Sequence, residues 1–120
     1  MPMDIQSERL RYSKETNIIS YSSDSGNVLL HSADYDISSK MLDAKWEKTG
    51  KRIERATARE KVLIQQGAKI CRGETAEYYL DPERFEITGS PAEIDDPGKM
   101  KSTARRLTSF VADGKSRLEK

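Results

Sequence analysis

His31, Cys71 and the carboxylates Asp34, Asp36, Glu74 and Glu77 are the residues of this 120-residue chain whose types could support covalent or acid–base chemistry. Their surroundings argue against it. His31 follows Leu30 in an extended segment with no cysteine or serine–acid pair beside it, and such a histidine is more often a surface or capping residue than a catalyst. The acidic residues could be paired carboxylates, but neighbours on a strand point to opposite faces and solvation accounts for them. A single cysteine excludes an internal disulfide framework, and there is no second Cys or His cluster of zinc-site type. Cys71 reads as a small, buried strand residue. With no nucleophile motif, phosphate loop or metal-ligand spacing, neither an enzyme activity nor a cofactor is expected.

The chemistry left to the chain is that of apolar surface. Alternation along extended segments places Val28, Leu30, Tyr35, Ile37, Val62, Ile64, Tyr78, Leu80, Phe85, Ile87, Ile94, Leu107 and Phe110 on one inward face, with Ala76 and Ala92 among them. Packed on one another they are an ordinary core. If the set fails to close over itself, it is a trough for an apolar guest. The basic residues Lys69, Arg72, Arg84, Arg105 and Arg106 stand near the mouth of such a trough, where charge-assisted bonds to phosphate are available. A solvated surface is the better explanation of each, because 21 basic residues face 20 acidic ones for a net charge of +1. No concentrated basic footprint exists, so nucleic acid is not an expected partner.

The elements that would position this face are short strands. From Ala56 to Ile94, the runs Lys61–Gln65, Thr75–Leu80 and Arg84–Thr88 alternate apolar with polar residues. They are separated by Gln66-Gly67-Ala68, Asp81-Pro82-Glu83 and Gly89-Ser90-Pro91, which are read as reversals. Earlier, Arg9–Tyr12 and Asn17–Tyr21 form a hairpin, Val28–His31 is a short apolar strand, and Ala33–Ile37 pairs with Met41–Trp46 across Ser38-Ser39-Lys40. Glu47–Arg59 has helix-forming residues but too few apolar ones for a helical stripe, so Ile53–Ala58 is read as a strand. Met100–Phe110 and Ser116–Glu119 follow, joined through Asp113-Gly114. Residues 1–7 carry no pattern and are expected to be loose, leaving one domain over 8–120. An apolar content of 35% suits a thin sheet structure better than a helical bundle. No run of 18 apolar residues could span a bilayer, and Met1–Gln6 lacks the basic and apolar regions of a secretion signal.

Two short patterns recur. A small residue, then Ala, then a charged residue appears at Ser32-Ala33-Asp34-Tyr35, Thr75-Ala76-Glu77-Tyr78 and Thr103-Ala104-Arg105-Arg106-Leu107. A second appears at Gly26-Asn27-Val28, Glu60-Lys61-Val62 and, more loosely, Gly89-Ser90-Pro91-Ala92. In these residues, and in the Ala58-to-Gly67 run with Val62, Ile64, Gln65 and Gly67, the chain resembles the OstA-like family of lipopolysaccharide transport proteins, which includes LptA, LptC and the amino-terminal domain of LptD. Glu60 stands where that family commonly carries Gly.

The resemblance, clearest from Ala56 to Phe110 and fainter back to Tyr12, implies an all-β fold: an open, twisted β-jelly roll of stacked antiparallel hairpins. It implies a periplasmic, non-catalytic protein that shields lipopolysaccharide acyl chains on the inward residues named above. Its partners would be lipopolysaccharide and other transport proteins or copies of itself, docked through edge strands such as the Arg9–Tyr21 hairpin and Met100–Phe110. The alternative is a β-sheet interaction scaffold in cell-envelope assembly with a filled core and no cargo of its own.

Overall fold

The computed structural model describes residues 3–119. Eleven strands pair antiparallel into one continuous sheet: β1 (Asp4–Gln6), β2 (Arg9–Ser13), β3 (Ile18–Ser22), β4 (Val28–His31), β5 (Asp36–Ser39), β6 (Met41–Trp46), β7 (Ile53–Gln66), β8 (Lys69–Leu80), β9 (Glu83–Asp96), β10 (Met100–Phe110) and β11 (Ser116–Glu119). No α-helix occurs among the described residues.

β7 to β10 are 14, 12, 14 and 11 residues long, about twice an ordinary strand. Strands this long cannot stay flat and keep one face dry, so each is bent by a bulge. The bulges stand side by side. Pairing of β7 with β8 breaks between Arg59 and Val62, that of β8 with β9 between Arg72 and Thr75, and that of β9 with β10 between Ala104 and Arg106. Glu60 and Lys61 occupy the left-handed region at φ 66° and 54°, which is why a glycine suits that place in the chain. Gly73 has the opposite requirement, closeness, since a Cβ there would lie 2.6 Å from Ile87 Cγ2 and 2.7 Å from the Thr88 carbonyl oxygen.

The bent sheet makes two layers. In the first, β1, β4 and β5 continue into residues 62–66, 69–73, 92–96 and 100–104. In the second, β2, β3 and β6 continue into 53–59, 75–80, 83–88 and 106–110, and then β11. Their inner faces form one core running from Val28 and Leu30 to Ile94 and Leu107. The sheet is open: its path ends at β1 and β11, and β2 pairs only with β3.

Several expectations from the sequence are corrected. Asp4–Gln6, expected to be loose, pair with Leu29–His31, because half-buried Ile5 sits opposite Leu30 and extends the core. β5 and β6 are not a hairpin; both pair with β7, one on each side of its bulge, and the Lys40 amide donates to the Glu60 carbonyl at the change-over. Gly89-Ser90-Pro91 is no reversal but part of the bulge inside β9, and Ile53–Ala58 and Lys61–Gln65 are one strand. A reversal and a bulge use the same residue types, so local composition does not tell them apart.

Substitutions at the bulges separate the two requirements. Gly73→Ala is expected to cost more than about 2 kcal/mol, since backbone and a packed isoleucine must move. Glu60→Gly is expected to gain about 0.5–1 kcal/mol, the left-handed strain relieved less the added chain entropy. Urea unfolding followed by circular dichroism measures both.

Candidate functional site

Cross-strand pairing lines up the inner face in rows. In the second layer Leu10, Tyr21, Leu42, Ala58, Ala76, Ile87, Leu107 and Leu118 are successive partners. One step toward the layer's free end the row is Tyr12, Ile19, Ala44, Ala56, Tyr78, Phe85, Ser109 and Ser116. In the first layer Ile5, Leu30, Ile37, Ile64, Cys71 and Ile94 are partners in the same way. Val28, Val62 and Ala92, the positions of the second recurring pattern, are all buried beside the bend. That pattern therefore marks where strands enter the first layer.

Of the residues expected to line this face, Val28, Leu30, Tyr35, Ile37, Val62, Ile64, Tyr78, Phe85, Ile87, Ile94 and Leu107 are buried and packed in the common core. Leu80 is half-buried at the free end. Phe110 is on the other face. Its register partner is Arg84, in the outer row with Tyr79 and Arg55, and the Arg117 guanidinium lies 5.9 Å from its ring. The mixed phase of β10 hides this, because the irregularity at Arg105 shifts the alternation.

The row positions also add two residues to the inner face. Leu10 and Tyr12 continue the inner rows onto edge strand β2 but are left 61% and 53% exposed. Their spacing two apart, alternating with Arg9 and Arg11, is the signal available in the sequence. They form an exposed apolar patch contiguous with the core.

At the free ends the layers meet. Tyr35, from the β4–β5 loop, lies 4.9 Å edge-on to Phe85 and 5.6 Å from Tyr78. The Tyr78 hydroxyl donates to Glu83 Oε2 at 2.6 Å. Burial first, and then that carboxylate, hold the Tyr78 phenol well above its ordinary range. A cleft of about 280 Å³ opens beside this cluster, with Tyr35, Tyr78 and Leu80 on its floor and Lys51, Arg52 and Glu83 around it.

The five basic residues do not converge. Arg84 stacks at 4.3 Å over the Tyr79 ring and bonds Glu86, and Arg106 approaches Glu119 at 3.9 Å, all on the outer face. Arg72 pairs in register with outward Leu63 and Glu93, and Arg105 is exposed in the bulge. Lys69 alone points inward and is buried. His31 and Asp36 are exposed register partners whose side chains bond each other. Among the described residues no group of three potential metal ligands exists, and no helix is long and apolar enough to cross a membrane.

No family model matches the sequence, and no curated protein matches it. Among solved structures the fold is similar to that of LptH from Pseudomonas aeruginosa, described as the LptA homologous periplasmic component of the conserved lipopolysaccharide transport device. The TM-score is 0.80 at 14% sequence identity, over 98% of this chain and 81% of that one. The architecture is thus the open, twisted β-jelly roll of that protein.

Phe85→Ala, which removes the ring on which Tyr35 and Tyr78 both pack, is expected to cost about 3–5 kcal/mol. Tyr12→Ser, on the exposed patch, is expected to leave stability within about 0.5 kcal/mol. Thermal unfolding of the two variants gives the comparison.

Proposed function

We propose that this chain carries lipopolysaccharide, shielding its acyl chains on the inner face of the roll and docking to other transport components through edge strands in the periplasm. The observation that carries the reading is the match of fold to LptH over nearly the whole chain. The inner face supports it with a continuous apolar surface that the open sheet leaves uncovered at Leu10 and Tyr12. About ten methylenes leaving water gain roughly 8 kcal/mol, more than surface hydrogen bonds of about 1 kcal/mol each supply, so a carrier of this class needs such a surface. No catalytic step enters this function.

The edges available for docking differ from those expected. β2 is a free edge, as the Arg9–Tyr21 hairpin suggested, but β10 is covered by β11 along 106–109, leaving its 100–104 portion and β11 open. We assign the domain to the whole sheet, including β1.

One observation favours the second reading, a scaffold without cargo: the inward residues of both layers already pack on one another. Photo-crosslinking separates the two. With benzoylphenylalanine at Tyr12 or Ile64, on the inner face, and at Leu63, on the outer, a carrier is expected to label lipopolysaccharide from the inner positions several-fold more strongly. Labelling equal at Leu63, or none anywhere, sinks the carrier reading.

A further inference from the structure

Among the described residues Lys69 is the one buried lysine, inward-facing in the first layer and only 5% exposed. A buried ammonium is costly unless its donors are met. Here all three are met from the other layer. Nζ donates to Ser109 Oγ at 2.6 Å, to the Gly114 carbonyl at 3.0 Å and to Ser116 Oγ at 3.1 Å. Ser109 Oγ in turn donates to Gln66 Oε1 at 2.5 Å, so the β7–β8 turn is bound twice to the β10–β11 hairpin. None of these residues are register partners across the two layers. The contact is therefore a crossing of the gap between layers at their free ends, outside the backbone ladders of either layer.

The acceptors are neutral. Asp96 and Asp113 act on the ammonium only through space, and Lys99 opposes them; burial is the largest influence and lowers the Lys69 pKa. Apolar packing holds the layers together in proportion to area and without direction. This cluster instead fixes one separation, because moving the hairpin away breaks three hydrogen bonds of set length and direction to the ammonium.

We propose that Lys69, with Ser109, Ser116 and the Gly114 carbonyl, is a latch that holds the two layers shut at this end, and that its release opens the interior. That such opening admits a lipid rests on the carrier reading above; the latch itself does not. Gln66 is the auxiliary partner that keeps Ser109 turned toward the ammonium.

The chain holds its own reporter. Cys71, its one cysteine, lies two residues along the same inner face, is buried, and has its thiol pushed up to about 11 by burial, with Lys69 acting the other way. In the full chain at pH 8, the rate of Cys71 modification by a small disulfide reagent is measured for the wild type, Lys69→Met and Ser109→Ala/Ser116→Ala. Global stability is taken from urea unfolding of the same proteins. The latch predicts at least a tenfold faster rate in both variants, beyond what their global stabilities account for. Loss of Lys69 by itself raises the thiol pKa and slows the reaction, so acceleration has to come from opening. The serine variant retains the lysine and serves where the methionine variant does not fold. Rates that follow global unfolding alone overturn the proposal. cis-Parinaric acid fluorescence on the same samples reads the cargo: faster Cys71 modification with no gain in fatty-acid binding keeps the latch and counts against the lipid reading.

Discussion

Everything in this molecule depends on four long strands bending at one level. A bulge in a single strand would leave a local kink, but bulges side by side in β7, β8, β9 and β10 turn a sheet into two facing layers. Three different devices achieve this: left-handed backbone at Glu60 and Lys61, a missing side chain at Gly73, and the Gly89-Ser90-Pro91 segment in β9. The change from β5 to β6 falls at the same level, so the shorter strands are sorted between the layers by the bend as well.

The bend also explains how a chain only 35% hydrophobic makes a core. Each strand gives alternate residues to the inner face, and the layers cover one another, so half of every strand is free to be polar. Arg55, Tyr79 and Arg84, stacked on the outer face with Glu77 and Glu86, show what that freedom is used for. Small residues fill much of the second layer's inner face, where Ala44, Ala56, Ala58 and Ala76 are all buried.

Alternation in the sequence revealed the strands and most of the inner face, because period two is a local property and survives any arrangement of the sheet. Val62, Ile64, Phe85 and Ile87 are inward for the reason their spacing implies. What alternation does not carry is phase across a bulge, so it puts Phe110 on the inner face when the register puts it on the outer, and pairing order, so it reads β5 and β6 as a hairpin when both pair with β7. Lys69 stands with four arginines among the residues placed near the trough mouth, but nothing local to it shows that it is buried. Its burial comes from Ser109, Gly114 and Ser116, some forty residues or more away, and only the folded sheet brings them together.

A packed interior and an open sheet are opposite requirements for a carrier, and the energetics reconcile them. Each large inner side chain gains about 1.5–3 kcal/mol by burial, so parting the layers over a few of them costs about what an acyl chain returns by taking their place. Apolar contact exchanged for apolar contact is near neutral, and it neither favours nor forbids opening. The polar groups at the free ends are not exchanged in this way, since a hydrocarbon cannot accept from an ammonium. On the carrier and latch readings, the balance between closed and open states then falls to Lys69 and its three oxygens, while Leu10 and Tyr12, exposed already, would offer an apolar guest a first contact that requires no opening at all.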